Sequence, residues 1–142
     1  MISNFYPREK GHDIAAFLEK EIRTIYAGFD PTAKSLHVGN LLVIMGLLQA
    51  QRAGHMSLAL IGGFTAKIGD PSGKNSERPS LDHKFIASNE KGIERNLKQI
   101  FSNFKEMYNE ATEVPEIINN KDWWENMKIG DFFSNYGKHY RL

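Results

Sequence analysis

Cysteine is absent from this 142-residue sequence. Without a thiol, the chain has no disulfide scaffold, no thiolate metal site and no cysteine nucleophile. Eighteen Lys and Arg residues balance seventeen Asp and Glu residues, which excludes a strongly basic domain that holds nucleic acid by charge alone. The five histidines include no pair at metal-ligand spacing, and no apolar run approaches the roughly 20 residues of a membrane span. We therefore expect one globular unit with no membrane span and no protein-bound metal.

The spacing of apolar residues predicts strands that alternate with helices. Strands are predicted over residues 24–29, 57–61 and 114–118. Helices are predicted over residues 13–23, 38–52, 82–108, 122–127 and 129–136. Gly92 is a weak position inside the long helix. Because a strand, a helix and a second strand fall within about forty residues, the pattern is typical of a βαβ unit with parallel strands, and the fold class is α/β.

A first loop with candidate functional residues follows the first predicted strand, at the edge where an open parallel sheet binds ligands. It ends with His37, Gly39 and Asn40 at the start of a helix, where backbone N–H groups and the helix dipole favour phosphate. Gly39 permits the close approach of a nucleotide, and the two side chains can donate to an α-phosphate as charge develops. Taken alone, a single histidine at a helix start is more often a capping or packed residue.

A second loop, residues 62–79, follows the second predicted strand and combines glycine, proline and serine with charged side chains. It contains Asp70, Lys74 and Arg78. It is not a Walker phosphate loop, because Ile68 and Asn75 stand where Gly and Ser or Thr are required. By itself, such a segment is usually a solvated connection.

Together, the two loops closely resemble the tyrosyl-tRNA synthetases, which are class I aminoacyl-tRNA synthetases. The resemblance rests on residues 26–40 (YAGFDPTAKSLHVGN) and 68–78 (IGDPSGKNSER), is dense over 24–78 and continues more loosely to 136–142. It implies a Rossmann-like parallel sheet that forms the first half of a class I catalytic domain. Residues 1–142 would be the N-terminal part of that nucleotide-binding domain, without the second signature loop and the anticodon-binding domain.

The resemblance also implies the residues that bind the amino acid. Tyr26 would hydrogen-bond the phenol of tyrosine, and Asp70 would hold its ammonium group. Gly28 and Thr65 would lie beside the same substrate. The hydroxyl of Tyr26 suits this role, because a polar group left unpaired in a pocket disfavours an analogue that lacks the phenol.

A second set of implied residues handles ATP. The positions that would contact ATP are Asp30, Thr32, His37, Gly39 and Asn40. Four residues would act in catalysis, with His37 and Asn40 at the α-phosphate and Lys74 and Arg78 on the departing pyrophosphate. Asn40 replaces the more usual second signature histidine, so this side chain can donate a hydrogen bond but cannot carry a proton charge.

The implied activity is ATP-dependent conversion of L-tyrosine to tyrosyl-adenylate, followed by transfer to tRNA(Tyr) through regions beyond this sequence. Mg²⁺ would accompany ATP, and the full-length family forms homodimers. Similarity to the mitochondrial branch implies the mitochondrial matrix, although no presequence is visible, with the cytoplasm as the alternative. Two other functions remain open: a catalytically inactive truncated product that acts as a binding module, and a small nucleotidylyltransferase, which Tyr26 and Asp70 argue against.

Overall fold

The structure is a computed structural model that describes residues 14–68, 83–108 and 113–139. Its centre is a parallel sheet of three strands, β1 (Thr24–Phe29), β2 (Met56–Ile61) and β3 (Glu116–Asn119), in that spatial order. The helices are α1 (Ile14–Glu19), α2 (Val38–Arg52), α3 (Thr65–Ile68), α4 (His83–Tyr108), α5 (Lys121–Trp124) and α6 (Ile129–Asn135), followed by a short 3-10 helix (Gly137–His139). The prediction of an α/β fold with parallel strands is confirmed.

The two long helices pack on the same face of the sheet. Consecutive parallel strands that are also spatial neighbours require right-handed crossovers, and these place both connecting helices on one side. Among the described residues, one buried cluster joins the sheet to these two helices; it contains Phe29, Ala59 and Ile61 of the sheet, Ile44, Leu47 and Leu48 of α2, and Ile93, Leu97, Phe101 and Phe104 of α4. Burial of these apolar side chains fixes α2 and α4 against the strands, and with them the loops at the strand ends.

The end of α2 is determined by the two residues that follow it, Ala53 and Gly54. Ala53 caps the helix and donates its backbone N–H to the carbonyl of Gln49 at 3.0 Å. Gly54 follows with φ of +89°, a left-handed conformation that glycine adopts without steric penalty. The chain can therefore turn directly from α2 into β2.

The first helix is shorter than its apolar pattern indicates. The pattern predicts a helix over residues 13–23, but α1 ends at Glu19, and Ile22 is 72% exposed. Phe17 is also exposed and lies under the guanidinium of Arg23 at 3.9 Å from the ring centroid. The apolar stripe has little surface to cover it among the described residues, so periodicity alone did not extend the helix. The third strand likewise begins later than predicted, at Glu116.

The charged residues from Glu90 to Lys105 predict a solvated side of the long helix α4. That part of the interpretation is wrong for Glu90 itself, which is only 7% exposed. Lys98 and Glu94 do form an exposed pair one turn apart, as expected of a solvated face. Among residues 14–68, 83–108 and 113–139, no helix has both the length and the apolar character needed to cross a bilayer.

Candidate functional site

The three strands end at the same edge of the sheet, and a polar residue or a glycine follows each of them. Asp30 follows β1, Gly62 follows β2 and Asn120 follows β3. The backbone ladder continues one step past the strands, because Gly62 donates to the carbonyl of Phe29 and Asn120 to that of Ile61, both at 3.0 Å. This edge is where open α/β sheets bind ligands.

A hydrogen-bond network links these strand ends through Thr65. Its hydroxyl donates to Oδ1 of Asp30 at 3.0 Å, and it accepts a hydrogen bond from Nδ2 of Asn120 at 3.2 Å. Oδ1 of Asn120 in turn accepts from the backbone N–H of Phe64 at 2.8 Å. The carbonyl of Gly62, 3.2 Å from the same hydroxyl, is a second acceptor, so the one hydroxyl proton is shared between Asp30 and Gly62. The structure thus brings together Asp30 and Thr65, two residues that the sequence assigned to different substrates.

The glycine pair at the end of β2 makes room for two polar clusters. A Cβ on Gly62 would collide with the carboxylate of Asp30 and with the hydroxyl of Thr65. A Cβ on Gly63 would lie 2.5 Å from Oδ1 of Asn119 and 2.8 Å from Oε1 of Glu90. Both distances are shorter than those that a Cβ keeps in folded proteins, so a larger residue at either position would force the facing polar side chains to move.

The start of α2 carries the residues predicted to act on a phosphate. His37 is the N-cap, and Oδ1 of Asn40 accepts its backbone N–H at 3.0 Å. With its carbonyl occupied in this way, the amide NH₂ of Asn40 is the part of the side chain that can donate to a ligand. His37 is exposed, and a Cβ on Gly39 would lie 3.0 Å from Cε1 of the imidazole ring. Gly39 therefore gives His37 the space for its present orientation.

The exposed face of β1 carries two of the four residues predicted to bind tyrosine. Tyr26 and Gly28 alternate with partly buried residues along the strand, so both project from the face opposite the long helices. The ring of Tyr26 is 68% exposed, and nothing lies within 4 Å of the position a Cβ on Gly28 would take. Across the ladder, these residues pair with Leu58 and Leu60 of β2.

The remaining predicted residues are distributed as follows. Thr32 is exposed in the loop after β1 and donates its N–H to the carbonyl of Asp30 at 2.8 Å. Asp70, Lys74 and Arg78 lie outside the described residues. In residues 14–68, 83–108 and 113–139, no group of three or more histidine, aspartate or glutamate side chains forms a metal centre.

Sequence reasoning missed a partly buried polar cluster beside Gly63. Lys121 donates to Oε2 of Glu90 at 2.8 Å, and Nδ2 of Asn119 donates to the same oxygen at 3.2 Å. Oδ1 of Asn119 accepts the backbone N–H of Lys121 at 3.0 Å. The adjacent asparagines after an apolar run were the available signal, because polar side chains directly after a buried strand face the ligand edge.

The ion pair in this cluster affects the titration of its lysine. The hydrogen bond to Glu90 is the main reason that the pKa of Lys121 lies above its ordinary value, with smaller contributions from the charges of Glu125 and Asp122. Burial opposes this effect by disfavouring the charged ammonium.

A pH dependence of stability follows from this shift. A lysine whose pKa is raised in the folded state stabilises the fold fully below its unfolded pKa of about 10.4 and loses that contribution as pH rises through the folded value. The difference in free energy of unfolding between the wild type and Lys121→Gln should be constant up to about pH 10 and shrink above it. Denaturant titrations from about pH 8 to about pH 11.5 measure it, with Lys98→Gln as the exposed control. A difference that does not change above about pH 10 would contradict the proposed pair.

Relatives of known type match this chain over most of its length. Residues 19–142 match the family model described as tRNA synthetases class I (W and Y). The mitochondrial tyrosine--tRNA ligase of Drosophila melanogaster is 48% identical, over 84% of this chain and 27% of its own length. The tyrosine--tRNA ligase of Protochlamydia amoebophila is 47% identical, over 95% of this chain and 32% of its own length. The chain thus spans about a third or less of these curated relatives.

Solved structures agree with this match. A C-terminally truncated mitochondrial tyrosyl-tRNA synthetase from Coccidioides posadasii has a TM-score of 0.75 and 31% identity, over 93% of this chain and 37% of that one. The equivalent protein from Aspergillus nidulans has a TM-score of 0.71 and 28% identity, over 83% and 34% respectively. The Rossmann-like fold and the resemblance to tyrosyl-tRNA synthetases are therefore confirmed. This chain belongs to the class I tRNA synthetase family of the tryptophan and tyrosine type.

Proposed function

We propose that residues 1–142 form the N-terminal part of the catalytic domain of a tyrosine--tRNA ligase, which activates L-tyrosine with ATP and transfers it to tRNA(Tyr). One observation carries this proposal. The exposed strand face with Tyr26 and Gly28, the linked pair of Asp30 and Thr65, and the helix start at His37 all lie at or lead to one edge of a parallel sheet. Relatives that are 48% and 47% identical to this chain are named tyrosine--tRNA ligases.

The tyrosine substrate is assigned to the open face of β1 and the loops that follow the strands. Tyr26 bonds the substrate phenol, and the open space over Gly28 accepts the flat ring. Thr65 lies at the strand edge beside the substrate, held there by Asp30 and Asn120. Asp70 pairs with the substrate ammonium group, since a charge-assisted hydrogen bond is stronger than a neutral one.

ATP is assigned to the start of α2 and the loop that leads to it. Asp30 and Thr32 contact the nucleotide from this loop, and Gly39 keeps the helix start open to it. A carboxylate oxygen of tyrosine attacks the α-phosphorus, the bond from that phosphorus to the bridging oxygen breaks, and pyrophosphate leaves with the electron pair. The imidazole of His37 and the amide NH₂ of Asn40 donate to the phosphate as negative charge builds on it. No proton transfer is needed, so fixed position and hydrogen bonding provide the rate enhancement.

The leaving group and the metal complete the proposal for this reaction. Lys74 and Arg78 neutralise pyrophosphate as it departs, because cationic side chains bind phosphate oxygens strongly. Mg²⁺ enters as the ATP complex, in which phosphate oxygens and water supply most of its ligands.

The wider context of the protein is also part of the proposal. Contacts with tRNA(Tyr) and the second signature loop belong to regions beyond residue 142, and the native protein is a homodimer that does not insert into membranes. A mitochondrial location is supported by the relatives from Drosophila melanogaster and Homo sapiens, which are 48% and 38% identical. The bacterial relative at 47% identity supports a cytoplasmic location as the alternative.

A binding module without catalysis is the second candidate function. The observation in its favour is that the chain spans only 27% and 32% of two relatives that are named as ligases. Such a module would still hold tyrosine or ATP at the sheet edge, so ligand-induced stabilisation without turnover is its expected property.

Tyrosine-dependent exchange of pyrophosphate into ATP separates these candidates. The native polypeptide that contains these residues should support exchange, and the 142-residue chain alone should show almost none. A rise in melting temperature with tyrosine or ATP, without exchange in the native polypeptide, would favour the binding module. Absence of both exchange and a thermal shift would overturn both candidates.

Removal of the Tyr26 hydroxyl is expected to weaken the selection of tyrosine. A neutral hydrogen bond contributes about 0.5–1.5 kcal/mol, so Tyr26→Phe should raise the KM for tyrosine by about two- to tenfold. The ratio of kcat/KM for tyrosine to kcat/KM for phenylalanine should fall accordingly. Exchange kinetics with both amino acids measure the effect.

The matched control for this variant is Tyr108→Phe. It removes the same atom from a ring on α4 that contacts Phe104 and Arg52, away from β1. Equal KM values for tyrosine in the two variants would argue against the assignment of Tyr26.

A further inference from the structure

The loop that joins β1 to α2 contains no helix or strand, although it leads to the proposed ATP-binding residues. Within residues 30–37, all of which the structure describes, one backbone hydrogen bond joins Thr32 to Asp30 at 2.8 Å. The exposed members of the loop include Asp30, Thr32 and His37, whereas Pro31 is buried and Leu36 is half-buried. A loop with so few internal bonds takes its shape from whatever its buried members contact.

Those contacts come from one face of α4. Nδ2 of Asn89 donates to the carbonyl of Pro31 at 3.0 Å, and Oδ1 of Asn96 accepts the backbone N–H of Leu36 at 3.1 Å. Between them, Gly92 faces the carbonyl of Lys34 so closely that a Cβ would lie well under 3.0 Å from its oxygen. Positions 89, 92 and 96 fall on one side of a helix, because neighbours at spacings of three, four and seven share a face.

Asn89 is an unusual residue for a position with no solvent exposure. Its Oδ1 is buried and has no hydrogen-bond partner, which disfavours the residue as a purely structural choice. Its Nδ2 is the atom that meets the loop. The bond to Pro31 therefore explains why an amide occupies this place.

We infer that Asn89, Gly92 and Asn96 form a positioning face on α4 that sets the path of residues 30–37, and thereby the placement of Asp30, Thr32 and His37 toward ATP. The inference rests on the proposed function for the role of those three residues, whereas the contacts between α4 and the loop are observed independently of that function. Small displacements of groups that orient a substrate lower the rate strongly, because catalysis depends on near-attack geometry. Tyrosine is assigned to β1, so its binding should be much less sensitive to this face.

Replacement of asparagine by aspartate should keep the hydrogen bond to the loop at position 96 and remove it at position 89. Asn96 is needed as an acceptor, so Asn96→Asp keeps the bond to Leu36, whereas Asn96→Leu removes it. Asn89 is needed as a donor, so Asn89→Asp loses the bond and turns a carboxylate oxygen toward the carbonyl of Pro31. Asn103→Asp, on the exposed side of the same helix, controls for the added charge.

The experiment measures pyrophosphate exchange with these variants of the native polypeptide, together with hydrogen exchange of the Leu36 amide. We expect Asn96→Leu and Asn89→Asp to lower kcat/KM for ATP by about tenfold or more, with the KM for tyrosine changed less than about twofold. Asn96→Asp should stay within about threefold of the wild type, and Asn103→Asp should be unchanged. The Leu36 amide should exchange faster in Asn96→Leu and at the wild-type rate in Asn96→Asp.

The outcomes separate this inference from the function on which it rests. A wild type without any exchange activity defeats the proposed function, and the Leu36 amide still decides whether Asn96 holds the loop. Equal kinetics for Asn96→Leu and Asn96→Asp, or a Leu36 amide that is insensitive to both, overturns the positioning face. If Asn89→Asp does not fold, the comparison of Asn96→Leu with Asn96→Asp still tests the positioning face.

Discussion

Gly92→Ala should destabilise the native polypeptide and slow its reaction with ATP, although alanine is the better helix former. Propensity alone would add about 1 kcal/mol to the free energy of unfolding. The new Cβ, however, would meet the backbone carbonyl of Lys34, which cannot rotate away as a side chain can. We expect a net loss of about 1–3 kcal/mol in the free energy of unfolding from this overpacking. Denaturant unfolding measures it, and kcat/KM for ATP should fall by about tenfold as the loop is displaced.

Gly46→Ala is the matched control for this prediction. Gly46 lies inside α2, is exposed and has nothing within 4 Å of the position that a Cβ would take. The same substitution should therefore raise the free energy of unfolding by about 0.5–1 kcal/mol, the intrinsic preference for alanine. Two glycines in two helices should thus respond with opposite sign. A stabilising Gly92→Ala would show that the loop does not lie against α4.

Leu97→Ala should produce the largest loss of stability, with little effect on the chemistry. Leu97 has no solvent exposure and belongs to the cluster that joins α4, α2 and the sheet. Truncation of a fully buried leucine leaves a cavity and lowers the free energy of unfolding by about 2–5 kcal/mol. Measured well below the melting temperature, kcat and the KM for ATP should remain near those of the wild type, because the aliphatic side chain of Leu97 cannot hydrogen-bond to the loop.

Met107→Ala is the control for this substitution on the same helix. Met107 is 74% exposed, so its truncation should change the free energy of unfolding by less than about 0.5 kcal/mol. Comparison of Leu97→Ala with Asn96→Leu separates the effect of core packing from that of loop positioning. A change at residue 97 should lower stability, and a change at residue 96 should lower kcat/KM for ATP. If Leu97→Ala lowered kcat as much as Asn96→Leu does, the two roles would not be distinct.

Local patterns predicted the elements of this fold well wherever burial and periodicity agreed. The first strand and α2 have the predicted boundaries, and the glycine after α2 has the left-handed conformation expected there. Prediction was poorer for α1, because an apolar stripe defines a helix only when another surface covers it. It was also poorer for the third strand, which is short and only partly buried.

Motif resemblance named residues for the site, but it could not give the hydrogen bonds between them. Motif resemblance pointed to Asp30, Thr65 and His37, yet it assigned Asp30 and Thr65 to separate substrates. The structure joins these two by a hydrogen bond and adds Asn120, 55 positions along the chain from Thr65. Sequence spacing cannot reveal such a contact, because it arises only when neighbouring strands end at the same edge.

The amino-acid sequence by itself determined that this chain alternates strands and helices, lacks thiol chemistry and carries two loops of the tyrosyl-tRNA synthetase type. Those properties follow from side-chain identity and local spacing, which are already present in the unfolded chain. Only the tertiary structure decided why Gly92 and Asn89 stand in α4. A glycine that weakens a helix, and an amide whose oxygen is buried without a partner, make physical sense once the helix lies against the loop between β1 and α2. Their role depends on the close approach of two chain segments 60 residues apart, which packing of the sheet and its helices brings about.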